Sequence, residues 1–397
     1  MKQTNKFYLA SFLKNQIYFV PIIVLFFQDL GLSYSQIFWV FTIGAAFSFI
    51  IEIPTGVIAD LYGNRKSIIV SKFLIFVSFI LFALSGGFIG LLIANLIYEL
   101  GKSFRSGTET AYVYNYLSET PGAPSYTKIK INQKFYARLS ESLAALFGGF
   151  VAYKLGFSMV FYIAAIPALI NFLQTLSWEK LNIEKGAVTK KFIWQDNLAF
   201  TRNSFKELRQ NKVVVRIILN ISLFSASFAA LDKFIQPYMK NSGIELQYFG
   251  AIYAGSLILV AFLVKFAAKL EDKIGGQKIM NYSSFAALIP LLILGFGTGA
   301  AWTVALFFIV LIIDNLRSPV ANNLFHEQVS SENRATMGSI LELVSSVNKL
   351  WILPIVGYMA DIYSIKTAIL LIAAIILFNA SFVWVIKRDR PLLVDKI

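Results

Sequence analysis

Apolar runs of about 20 residues, the length that crosses a bilayer's hydrocarbon core as a helix, recur along the whole chain. They fall at 7–28, 36–58, 68–86, 88–114, 134–153, 156–177, 213–238, 246–268, 279–297, 302–326, 335–358 and 366–386. Runs such as ILLIAAIILF (369–378) show no alternation of apolar and polar positions. Transmembrane strands would alternate with period two, so the runs predict helices. The connecting segments are short, apart from a polar stretch at 178–212. The first run has no small-residue cleavage site and reads as a permanent helix rather than a signal peptide.

Composition sharpens this picture. Of the 397 residues, 57% are hydrophobic and only 15% are charged, against about 25% charged in soluble domains. The expected fold class is an all-α membrane protein with twelve transmembrane helices. Cysteine is absent and His326 is the single histidine, which removes disulfide, thiol and Cys/His zinc chemistry. His326 itself, at the inner end of the tenth span, reads as a capping or surface residue. No Walker loop occurs and no catalytic cluster gathers at one membrane face. Neither an enzyme nor a cofactor is therefore expected.

The net charge of +14 is unevenly placed. With the N-terminus inside, internal segments hold 23 Lys and Arg, and external loops hold only Lys154, Lys240 and Lys366. Basic residues mark the cytoplasmic side, so both termini are expected in the cytoplasm of a cell-membrane protein. The basic excess is then an orientation signal beside anionic lipid, and no nucleic-acid partner is expected.

An internal repeat divides the chain. GVIADLYGNRKS (56–67) aligns with AKLEDKIGGQKI (268–279) at an offset of 212, which places Asp60 on Asp272, Gly63 on Gly275 and Lys66 on Lys278. At the same offset KSFRSGTETAYVYNYL (102–117) meets DNLRSPVANNLFHEQV (314–329), so Arg105 falls on Arg317. Two matches at one spacing give two pseudo-symmetric six-helix halves, 1–177 and 213–397. The intervening 178–212 is expected to be a cytoplasmic linker, with WQDNLAFTRNSFKELR (194–209) as an interfacial amphipathic helix.

GVIADLYGNRKS resembles the loop signature between the second and third helices of the major facilitator superfamily, carried here by Gly56, Asp60, Gly63, Arg65 and Lys66. The second copy keeps Asp272, Gly275 and Lys278 but has Gln277 in place of the arginine. Together with SGTETAYVYNYL and IQPYMKNSGI, the resemblance extends over the chain and is to the bacterial drug-exporter-like branch. It implies the major facilitator fold and alternating access between the halves. Gly63 suits a tight turn of positive φ, and Gly56 suits close helix packing. Arg65 and Lys66 are expected to latch onto Glu119, with Glu332 equivalent in the second half, in a contact broken on inward opening. Exporters of the superfamily carry Gly-Pro followed by Gly-Gly on the fifth helix. SESLAALFGGF keeps Gly148 and Gly149 but has Ala144 and Ala145 at the Gly-Pro positions.

Charges inside the spans are the remaining chemistry. A charge at the bilayer centre costs about 2.5–3.5 kcal/mol on insertion scales, so central charges need a cavity or a partner. Glu99, Lys102 and Arg105 on the fourth helix, with Asp314 and Arg317 on the tenth, are the central set; Glu109 lies further along the fourth span. Glu99–Lys102 and Asp314–Arg317 are i,i+3 pairs that can neutralise themselves. Glu99 or Asp314 is then the proton-coupling carboxylate, or the whole set, with Lys102, Arg105 and Arg317, is a structural ion-pair network. Lys72, Arg216 and Lys265, near helix ends, are expected to snorkel. Asn15, Gln16 and Phe19 on the first helix, beside Lys14, and Asp232 and Gln236 on the seventh are the candidate substrate contacts.

These observations predict a monomeric secondary transporter whose partners are the bilayer, protons and a small, amphipathic molecule moved by proton-coupled efflux. Proton-coupled uptake of a nutrient and lipid flipping are the alternatives. A sensor would need an appended soluble domain, which no loop is long enough to supply.

Overall fold

Gly63 and Gly275 turn the chain in the same way, with φ/ψ of 92°/142° and 86°/138°. Positive φ of this kind is cheap only for glycine. The helices that follow run Asn64–Leu84 and Gly276–Phe296, so both of their ends are displaced by the 212 residues of the sequence repeat. A computed structural model describes residues 2–181, 211–263, 266–297, 299–329 and 334–384.

The first half holds α1 (Gln3–Lys14), α2 (Ile23–Asp29), α3 (Tyr34–Tyr62), α4 (Asn64–Leu84), α5 (Phe88–Arg105), α6 (Thr108–Glu119), α7 (Tyr126–Leu155) and α8 (Phe157–Leu176). The second holds α9 (Lys212–Asn241), a 3-10 turn at Leu246–Tyr248, α10 (Phe249–Leu263), α11 (Ala267–Ile274), α12 (Gly276–Phe296), α13 (Ala300–Glu327), α14 (Arg334–Ile362) and α15 (Ile365–Phe382). Every apolar run read from the sequence holds helix, and no strand occurs among the described residues. Among the described residues, seven helices are long and apolar enough to cross a bilayer, and Leu246–Val260 and Ile365–Ser381 are shorter apolar helices. The runs 7–28 and 88–114 differ from expectation, because each is two helices with a break between them. The α7 helix is long but carries Lys128, Lys130, Lys134, Arg138 and Glu141, which lower its hydropathy.

The chain packs as two units, Met1–Lys191 with Ile244–Gly255, and Phe192–Gly243 with Ser256–Ile397. In the first, α4 packs between α5 and α8, α3 lies on α5, and α1 lies on α7 and α8. Its core is an aromatic stack in which Phe161 meets Phe19 at 4.9 Å, Phe26 at 4.6 Å and Phe82 at 5.2 Å between ring centroids. In the second unit α12 packs on α13 and α15, and α9 on α14, α15 and α13. Ile217, Ile218, Met280, Leu324, Phe325 and Ile340 form a core there.

The adjacent glycines on α7 have separate jobs. A Cβ on Gly148 would overlap the backbone carbonyl of Tyr18, in the break between α1 and α2. A Cβ on Gly149 would lie 2.7 Å from the backbone nitrogen of Gly250. Backbone cannot yield as a side chain can, so both positions exclude any larger residue. Gly56 is the reverse case: a Cβ there meets nothing within 4 Å among the described residues, so close packing is not its role. Gly148→Val is expected to cost about 1–3 kcal/mol of stability, measured by thermal unfolding of the purified protein, whereas Gly56→Ala leaves the midpoint essentially unchanged.

Candidate functional site

Two interrupted helices build the charged centre of the first unit. The α1 helix stops at Lys14 and α5 stops at Arg105. After Ser106 and Gly107, whose φ is 69°, α6 begins with Thr108 and Glu109. Breaking a helix inside a membrane leaves carbonyls without amide partners, a cost that neighbouring serines commonly offset. Here Ser140 donates to the carbonyl of Phe12 at 2.6 Å, Ser67 to that of Phe104 at 2.9 Å and Ser71 to that of Gly101 at 2.6 Å. The break also aligns charge with backbone dipoles. Lys14 and Arg105 sit at helix C-termini and Glu109 in the first turn of a helix, the favourable sign in each case.

Glu109 collects three cations on one oxygen. Its Oε2 lies 3.4 Å from Lys72 Nζ, 3.5 Å from Lys14 Nζ and 3.8 Å from Arg105 Nε. Its Oε1 is buried and has no hydrogen-bond partner among the described residues. Lys72 was expected to snorkel, but its side chain is 2% exposed and its ammonium turns to Glu109 instead. Such a partner offsets part of the cost of a buried ammonium.

Cavities surround this centre. One of about 440 Å³ is lined by Lys14, Asn15, Arg105, Glu109, Lys130 and Lys134, among others. A smaller one of about 50 Å³ lies beside Lys14, Lys72, Tyr98 and Arg105. A third of about 240 Å³ includes Glu52, Lys102 and Arg105. Arg105 therefore borders all three.

The other residues singled out in the sequence fall into distinct places. Glu99 pairs with Lys102 at 2.9 Å. Gln16 donates to Ser140 Oγ at 2.9 Å and accepts from the Tyr18 hydroxyl. Phe19 stands in the aromatic stack, beside Phe79 at 5.4 Å. In the second unit Asp314, Arg317, Glu342 and Lys349 border a cavity of about 220 Å³. The expected Asp314–Arg317 ion pair does not form, and Arg317 joins no ion pair among the described residues. Its guanidinium donates to the side chain and the backbone carbonyl of Asn220, and lies 4.0 Å from the Phe224 ring centroid. An amide and an aromatic face thus satisfy a planar cation that a carboxylate was expected to hold. Asp232 pairs with Lys233 at 3.0 Å, and Gln236 is buried.

In the motif, Arg65 donates to the carbonyls of Leu176 (2.5 Å) and Trp178 (2.8 Å), capping the end of α8. Asp60, Lys66, Asp272 and Lys278 are exposed and Glu119 is half-buried. Glu332 and the 194–209 segment lie outside the described residues.

Lys14, Lys72 and Glu109 are the residues whose grouping the sequence reading missed. Arg105 and Glu109 stand four apart, the spacing of a helical ion pair, and Ser106-Gly107 between them signals an interruption. Those two signs together would have located the centre. A double-mutant cycle of Lys72→Met and Glu109→Gln is expected to show coupling of roughly 0.5–3 kcal/mol, the range for residues in one ion-pair network, read from thermal or denaturant unfolding of the four proteins.

Comparison with known proteins agrees with this architecture. The family model of the Major Facilitator Superfamily matches residues 7–347. The quinolone resistance protein NorA of Staphylococcus aureus is 22% identical over 381 residues, covering 95% of this chain and 94% of NorA. An uncharacterized MFS-type transporter of Methanocaldococcus jannaschii is 25% identical over 300 residues, 74% of this chain and 72% of the relative. Among solved structures, the nucleoside transporter NupG superposes with a TM-score of 0.80 at 15% identity, covering 96% of this chain and 98% of NupG. The chain belongs to the major facilitator superfamily, and it is a multi-pass membrane transporter with that superfamily's all-helical, two-halved fold.

Proposed function

We propose that the protein is a proton-coupled exporter that moves a small organic molecule across the cell membrane by alternating access, as a monomer with both termini in the cytoplasm. The observation that carries the coupling is Asp314. It borders a cavity in the second unit and makes no ion pair within 4 Å among the described residues. A carboxylate held by a fixed cation has its charge committed, as Glu109 has, whereas one without such a partner is placed to exchange a proton with the cavity. Glu99, already tied to Lys102, is the weaker candidate. The outward direction draws support from the likeness to NorA, a quinolone resistance protein. Asn15, bordering two cavities of the first unit, is the best placed of the proposed substrate contacts.

The twin turns at Gly63 and Gly275 support a role for both motif copies in gating. In this reading Asp60, Arg65, Lys66 and Glu119 in the first copy, with Asp272, Lys278 and Glu332 in the second, latch the cytoplasmic side while the cavity faces outward.

Expression in an efflux-deficient bacterial host is expected to lower accumulation of at least one toxic compound, with the effect abolished by an uncoupler. In inverted vesicles Asp314→Asn is expected to reduce gradient-driven transport to the vector background while counterflow exchange without a gradient persists. Full gradient-driven transport by Asp314→Asn would remove Asp314 from the mechanism. Accumulation raised rather than lowered by the protein would reverse the direction.

A further inference from the structure

The first unit gathers more positive charge around two adjoining cavities than the carboxylate beside them neutralises: Lys72 is buried, Lys14, Arg105 and Lys130 are half-buried, and Lys134 is exposed. Lys14, Lys72, Arg105, Lys130 and Lys134 border the two cavities that share Lys14, Asn15 and Arg105, and Glu109 is the one carboxylate among the described residues that borders either. Three of the cations crowd onto a single oxygen of Glu109. Arg105 approaches it with Nε at 3.8 Å, and its guanidinium makes no hydrogen bond among the described residues. A guanidinium edge left open in this way matches a carboxylate or phosphate in bidentate geometry.

We infer that this cavity binds the anionic headgroup, a carboxylate or phosphate, of a small soluble organic molecule. Calling that molecule the transported substrate rests on the transport reading above; the binding itself does not. The cavity of about 440 Å³ is in the size range of small-molecule sites. Ile17, Ile75, Phe79 and Tyr98 line the adjoining smaller cavity and give the site an apolar side. An orientation signal does not account for Lys72 or Arg105, because Lys72 is buried beside the buried Glu109 and Arg105 is mostly so. A cationic ligand would meet five like charges, whereas an anion would supply the missing counter-charge. The crowded oxygen of Glu109 then acts as a resident competitor: the incoming anion shares Lys14 and Arg105 with it, and Lys130 closes from α7. Two other acids of the first unit, Glu52 and Glu99, are engaged with Ser106 at 2.9 Å and Lys102 at 2.9 Å.

The test uses the purified full-length protein in detergent and a matched series of benzoate, phenyl phosphate, benzamide and benzylammonium, with binding read by calorimetry and thermal shift. Benzoate or phenyl phosphate is expected to bind saturably, and benzamide and benzylammonium are not. Arg105→Gln and Lys130→Gln should each weaken anion binding by about tenfold or more, the scale of a lost charged hydrogen bond. Glu109→Gln should tighten it, and any loss of its thermal stability should be restored by added benzoate. Arg105→Gln leaves Glu109 with fewer counter-ions and risks misfolding, so Lys130→Gln, on the half-buried rim, carries the test independently. The inference is overturned if benzylammonium binds as well as benzoate, if none of the anions binds, or if anion binding survives both substitutions. Protection by phosphatidylglycerol but not by the soluble anions would assign the site to lipid and also overturn it. Export of compounds in cells without anion binding would leave the transport reading standing, and anion binding without transport would do the reverse.

Discussion

The carboxylate of Glu109 is what allows the first unit to bury its basic residues. Lys14, Lys72 and Arg105 come from three different helices and converge on one oxygen. Removing that carboxylate would leave cations in a low-dielectric interior with nothing opposite them, a change that costs about 3–5 kcal/mol for a single broken buried pair. The convergence in turn depends on interrupted helices. Continuous helices at 7–28 and 88–114 would remove the ends at which these side chains sit, and the dipoles that favour them would vanish with those ends.

Small residues make the interruptions tolerable. Ser140, Ser67 and Ser71 occupy the carbonyls near the two helix ends, and Gly148 leaves room for the Tyr18 backbone in the first break. Each is a side chain of minimal size placed where a larger one would push backbone apart, in keeping with the close packing of membrane helices. Gly149 adds the contact that holds the start of α10 in the first unit. The GG pair on α7 thus serves two approaches on opposite partners.

The fold was legible because it is written in long-range regularities. Twenty-residue apolar runs report on the solvent rather than on any contact, and the 212-residue offset survives in the ends of α4 and α12. Gly63 and Gly275 announced positive φ by their residue type and turn context. The charged centre was harder, since it is made from ends. Lys72 read as a snorkelling residue because its place near the start of an apolar helix is the same whether it faces lipid or Glu109. Only the packing of α4 against α5 and α6 decides between the two. Arg317 misled for the opposite reason: its i,i+3 spacing to Asp314 is right for a pair, but Asn220 and Phe224, about 95 residues away in sequence, satisfy it first. Spacing along one helix is blind to competitors on another.

The two copies of the repeat have not kept the same centre. At the offset of 212, Gly107 corresponds to Pro319 and Glu109 to Ala321. The α13 helix runs through its proline unbroken, from Ala300 to Glu327, where the first copy stops and restarts. Duplication supplies a spare of every position, and a spare is free to drift as long as its twin performs. Ala321 places a methyl where the first copy has the carboxylate, so the cluster of Glu109 has no counterpart there. Assembling a chain from two first copies would yield a molecule with two like-charged centres rather than a working duplicate. The halves are therefore not interchangeable in chemistry, although their folds are alike.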